Sequence, residues 1–208
     1  LSRSAIGWAG LIFGVYAINF LWSPLIDRIH IPYLSKKIGH RKSWIISMQF
    51  IILLSLITWS TLNPSENLWL VIAVGLGIAI SSATQDITID ALRIEQINEN
   101  EGRAMAAGAA ISVVGWWTGY KIGGVISLLS AEFFQQKGYE NYWQLSFLLL
   151  GFIIIITSLG LILVPEKSSK TRIISQKNQD NKLFYKFQTN SQISKIFTWL
   201  YGTIINPL

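Results

Sequence analysis

Residues 68–92 form an apolar run that would cross a bilayer, yet without any turn signal it admits Ser81, Ser82, Thr84, Gln85, Asp86 and Asp90. An acidic side chain at mid-depth costs roughly 2.5–3.5 kcal/mol on insertion scales, so it faces a protein interior or a water-filled path rather than lipid. Asp86 and Asp90 are four positions apart and therefore stack on one helical face, with Ser82 a turn earlier. A helix with one lipid-tolerant stripe and one carboxylate stripe belongs to a protein that lets polar matter into a membrane. For Asp90 there is a plainer alternative, an ion pair with Arg93 near the helix end. Asp86, a full turn deeper, is the more pointed candidate for a functional group.

Composition supports a membrane class. Of 208 residues, 51% are hydrophobic and 13% charged, against about 25% charged in soluble domains. Cysteine is absent, which excludes a disulfide framework, thiolate chemistry and a zinc-thiolate site. His30 and His40 share a basic loop without metal-ligand spacing, so they are expected as solvated loop residues, and no metal or cofactor is expected. The net charge of +6 raises the question of nucleic acid, but its distribution answers otherwise. Five of the 17 Lys and Arg lie between Arg28 and Lys42, two are Arg93 and Arg103, and seven lie between Lys167 and Lys195.

Five spans follow from hydropathy: residues 6–25, 43–62, 68–92, 103–131 and 142–164. Asn19 is the strongly polar interior residue of the first, readable as a pathway group or, preferentially, as an interhelical hydrogen-bonding residue. The fourth is dense in Gly and Ala, including Gly108, Gly115, Gly119, Gly123 and Gly124. Small residues let helices approach closely in lipid, so this span is expected to be buried among neighbours. The fifth would extend about 34 Å at 1.5 Å per residue, enough for the ~30 Å hydrocarbon core, and its apolar composition suits a lipid-facing position. Residues 165–191 read as a basic linker. Residues 192–208 carry apolar positions at helical spacing, read as an amphipathic interfacial helix or, equally, as a linker helix packed on protein.

Alternation of the spans places loops 27–42, 91–103 and 165–208 on one side, where most of the positive charge lies, so the positive-inside rule makes that side cytoplasmic. The chain opens on Leu1 with no cleavable leader pattern, and a missing first span would explain an otherwise external start. The expectation is an N-terminal-half fragment, with residues 1–164 as its bundle.

Asp27-Arg28 followed by Gly39-His40-Arg41-Lys42 resembles the loop between the second and third helices of the major facilitator superfamily. Residues 20–28 (FLWSPLIDR), 82–87 (SATQDI) with Asp90-Ala91, and 108–115 (GAAISVVG) resemble the AmpG muropeptide permease family, and related acetyl-coenzyme A transporters share much of this pattern. The resemblance runs from near Leu1 to about Pro165. It implies an all-α, major facilitator-like bundle in which these spans are helices two to six of twelve, with the substrate site near the bilayer midplane. It further implies import of anhydro-muropeptides across the bacterial inner membrane for cell-wall recycling, driven by the proton gradient, with a separate C-terminal half as a partner. Two departures stand out. Relatives carry Tyr-Arg where this chain has Trp116-Trp117, with a cation instead at Lys121, and the loop between Arg28 and Gly39 is longer.

On this reading Asp86 carries the proton, because a low-dielectric site favours the neutral form of a carboxyl group. Gln85 and Asp90 share its helix end. Lys121 holds a substrate carboxylate or neutralises Asp86. Trp116 either lays its ring against a sugar or packs in the core. Asp27, Arg28, Gly39, Arg41 and Lys42 form a cytoplasmic gating latch, or merely set topology. An intramembrane enzyme using the Asp86/Asp90 pair is disfavoured, since no His, Cys or phosphate-cradling loop joins them. A truncated, inactive membrane fragment and a carrier of acetyl-coenzyme A or another anionic solute are the remaining alternatives.

Overall fold

The computed structural model describes residues 3–62, 67–97 and 101–166, together with Asn178, Asn181, Lys182 and Thr198. The linker expected after residue 166 and the amphipathic helix at 192–208 lie outside the described residues, apart from those isolated positions. Among the described residues every regular element is helical: α1 (Arg3–Ile18), a 3-10 turn (Asn19–Leu21), α2 (Ser23–Arg28), α3 (Leu34–Ile38), α4 (His40–Thr61), α5 (Leu68–Gln96), α6 (Gly102–Gln136) and α7 (Tyr142–Leu163). This is an all-α membrane protein, and among the described residues three helices are long and apolar enough to cross a bilayer: His40–Thr61, Leu68–Gln96 and Tyr142–Leu161.

The other two expected spans depart from the hydropathy reading. The first is interrupted: α1 ends at Ile18, the chain tightens into the 3-10 turn at Asn19, and α2 restarts at Ser23 with Pro24 in its first turn. Proline has no N–H to donate and fits a helix start rather than its interior. Asn19 thus sits at a break in the helix, and no described side chain bonds to its carboxamide. The fourth, α6, has 35 residues but is not among the helices apolar enough to cross a bilayer. It is also not buried among neighbours as expected. Among its described residues only Ala131 is buried, because α6 rests on α7 and scarcely meets α5.

The core gathers around α5. It packs most extensively on α4 and then on α1, while α4 also packs on α7. Small residues on one face of α5 make the close approach possible: Ala79 and Ala83 are buried against Val15, with Ile12, Trp22 and Leu76 around them. Polar residues on the same helix are spent on cross-helix bonds. Tyr16 Oη donates to Ser82 Oγ at 2.8 Å and Trp22 Nε1 donates to Thr84 Oγ1 at 3.1 Å. In a medium without water such bonds hold helices together.

The histidines of the basic loop are not solvated as expected. That loop contains α2, α3 and the start of α4, and His40 is fully buried. Its Nε2–H donates to the Ile26 carbonyl at 3.0 Å, and its ring lies 4.3 Å from that of His30. The bond from Nε2 to a backbone carbonyl offsets part of the cost of burying the ring, and loop composition gives no hint of it.

Candidate functional site

Two constellations emerge, a groove between α5 and α6 and a charge cluster at one end of the bundle. The groove has a volume of about 810 Å³ and is lined by Asp86, Asp90 and Arg93 from α5 and by Ser112, Trp116 and Trp117 from α6, among others. The two carboxylates project into it from adjacent turns, yet their surroundings differ. Asp90 Oδ1 accepts from Arg93 Nη2 at 2.9 Å and from Ser112 Oγ at 3.2 Å, so the plainer ion-pair alternative is present in the structure. Asp86 has no hydrogen bond or ion pair from any described side chain. Arg93 reaches α6, where its Nη1 lies 3.4 Å from the position a Cβ would take at Gly108.

Aromatic rings form the opposite wall. Trp116 stacks on Tyr120 with ring centroids 5.9 Å apart and meets Trp117 edge-on at 5.1 Å. Both tryptophans are about half exposed, so neither is buried in a core among the described residues. Lys121 is exposed on α6, and among the described residues no ion pair joins it to Asp86. Gln85, next to Asp86 in sequence, turns away from the groove into a different cavity. Of the residues singled out in the sequence, the structure therefore brings Asp86, Asp90 and Trp116 together, and leaves Asn19, Gln85 and Lys121 apart from them.

The charge cluster is built on Arg41, in the first turn of α4 and only 4% exposed. Its Nη1 donates to Asp27 Oδ1 at 2.5 Å, while Nε and Nη2 both donate to Glu95 Oε1 at 3.0 and 2.8 Å. The first turn of α4 has no side-chain cap of its own. Glu166 supplies one from beyond α7: its Oε1 accepts the Arg41 backbone N–H at 2.9 Å and its Oε2 that of Lys42 at 3.1 Å. A carboxylate there satisfies otherwise orphaned N–H groups and complements the helix dipole. Asp27, Arg41, Glu95 and Glu166 thus tie α2, α4, α5 and the chain after α7 into one knot. The sequence reading found Asp27 and Arg41 but missed Glu95 and Glu166. The available signal was weak: single acids at the ends of two apolar runs, beside segments rich in Lys and Arg.

Gly39 is required at this knot. Its φ is +103°, and a Cβ would collide with the Glu166 carboxylate. Gly39→Ala is expected to cost about 1–3 kcal/mol from backbone strain, with the displaced cap in addition. Gly138 has φ of +83° but nothing within 4 Å of its Cβ position, so Gly138→Ala carries strain alone. Thermal unfolding of the two variants should show the larger loss at Gly39, and equal losses would remove the glycine–carboxylate fit from this account.

A comparison with known proteins places this architecture. The chain matches the Major Facilitator Superfamily over residues 1–206. It is 31% identical to AmpG 4 of Rickettsia felis over 192 residues, covering 92% of this chain and 40% of that protein. It is 34% identical to AmpG 4 of Rickettsia conorii over 163 residues, 77% of this chain and 37% of the relative. The anhydromuropeptide permease of Escherichia coli K12 is 33% identical over 167 residues, 80% of this chain and 31% of that protein. The chain spans about a third to two-fifths of the length of these curated relatives. With a helical membrane bundle, a carboxylate-bearing groove and a family match over almost its whole length, the chain belongs to the Major Facilitator Superfamily, and its relatives there are AmpG-like.

Proposed function

We propose that this chain forms part of a proton-coupled secondary transporter that imports anhydro-muropeptides across the bacterial inner membrane by alternating access. The observation that carries the reading is Asp86, a carboxylate without a described protein partner in a groove of about 810 Å³, a size suited to a small solute. A carboxyl group so placed can take up and release a proton without first breaking an ion pair. Trp116 and Trp117 offer flat faces to sugar rings, whereas Lys121, exposed on the same helix, lies outside the lining of this groove. The relative in Escherichia coli carries the name of the substrate class proposed here. The Arg41 knot, on the side assigned to the cytoplasm by its positive charge, holds four chain segments and breaks and reforms as the bundle changes its opening. The role is carriage rather than catalysis.

Uptake of labelled anhydro-muropeptide by cells lacking their own permease tests this, with the 208-residue chain compared against a form extended by a C-terminal half. Expected is uptake by the extended form that an uncoupler abolishes. Uptake indifferent to the uncoupler would overturn proton coupling, and no uptake by either form would overturn the substrate assignment.

A further inference from the structure

A separate cavity, of about 340 Å³, lies at the end of the bundle opposite the Arg41 knot. Arg41 stands in the first turn of α4 and Trp59 in its last. Trp59 lines this cavity together with Tyr142, Trp143 and Phe147 from the start of α7. The volume falls at the lower end of the range for small-molecule sites. Contacts within the wall hold it in shape. Trp59 Nε1 donates to the Val71 carbonyl at 3.1 Å. The Phe147 ring centroid lies 5.2 Å from that of Trp59 and 6.3 Å from that of Trp143, with Tyr142 and Trp143 6.0 Å apart. Aromatic residues at a bilayer edge anchor a helix end as separate rings. Here four of them join ring to ring around an open volume, which anchoring alone does not require.

The turn between α6 and α7 adds a charge. The chain leaves α6 through Gly138, whose φ is +83°, and brings Glu140 to the cavity just before α7 begins at Tyr142. Glu140 is exposed, and among the described residues of the lining it carries the only formal charge. Lys137, three positions earlier, lies over the Phe133 ring at 5.8 Å, and among the described residues no cation pairs with Glu140. Aromatic faces carry negative potential, and a carboxylate beside them attracts the same kind of ligand. A metal ion would find one carboxylate and no second acid or histidine on the described lining. An anion would meet Glu140 with no cation to offset it, and a neutral apolar group would leave the carboxylate unused. An organic cation uses both the rings and the acid. We infer that the cavity at the end of α4 and the start of α7 is a binding site for an alkylammonium group, carried by a free solute or by a lipid headgroup.

The test uses the whole chain in nanodiscs of phosphatidylglycerol, a lipid without an ammonium group. Choline replaces sodium at constant ionic strength while Tm is followed, and its uncharged analogue, with carbon in place of nitrogen, is titrated alongside. Choline at about ten times its Kd is expected to raise Tm by on the order of 3 °C, and the analogue to leave it unchanged. The shift should be lost in Glu140→Gln and in Trp143→Leu, both of them changes at exposed positions that leave the core intact. Mixing phosphatidylethanolamine into the discs separates the two sources. If a headgroup fills the cavity, this lipid raises Tm by itself and removes the choline response; if a free solute does, the choline response survives. A choline response no larger than that of the analogue, or one retained in either variant, would overturn the inference.

Discussion

Asp86→Asn is expected to abolish proton-driven uptake while leaving membrane insertion intact. Asparagine keeps the shape and hydrogen-bonding capacity of aspartate but cannot carry a proton. No described side chain bonds to Asp86, so the exchange strands no buried partner and should cost little stability. Asp90 is poorly suited to take over, because one of its oxygens already accepts from both Arg93 and Ser112. The measurement is uptake in whole cells, normalised to the amount of protein in the membrane fraction. Asp90→Asn should give an intermediate loss, since it weakens a fixed ion pair rather than removing the free carboxyl group. Normal uptake by the Asp86→Asn protein would reject Asp86 as the coupling residue.

Arg41→Ala should produce the largest loss of stability. Removing one partner from a buried charge pair costs about 3–5 kcal/mol. Here Asp27 is 44% exposed and Glu95 31% exposed, so water reaches both carboxylates and a loss of roughly 2–3 kcal/mol is expected. At this chain length that corresponds to a fall in Tm of roughly 4–12 °C. Arg41→Lys should recover only part of it, because an ammonium cannot reproduce the fork that contacts Asp27 and Glu95 together. A Tm for Arg41→Ala within about a degree of the parent protein would show that the knot contributes nothing to the fold.

The contrast between these two residues shows how much of the site was legible in the chain. Asp86 announces itself locally, as an acid within an apolar run where a charge is costly unless it faces something polar. Arg41 announces only its charge. That it is 4% exposed, and that Glu95 and Glu166 lie against it, depends on segments separated by 54 and 125 positions. The buried His40 belongs to the same category, since its carbonyl partner Ile26 comes from α2. The expectation for α6 failed for a related reason. Glycine and alanine permit close packing, but whether a neighbour takes up that permission is decided by the neighbour.

What the sequence determined by itself is therefore the membrane class, the three apolar spans at α4, α5 and α7, the shared face of Asp86 and Asp90, and, through resemblance, the family. All but the family follow from local physics, a 3.6-residue period and the cost of placing backbone and charge in hydrocarbon. What only the tertiary structure decided is which polar groups are already spoken for. It bound Asp90 to Arg93 and Ser112, left Asp86 open to the groove, turned Gln85 toward a second cavity, and knotted Arg41 to acids distant in the chain. Hydrogen bonds and ion pairs reach only about 3 Å, and which atoms come that close is settled by how whole helices pack.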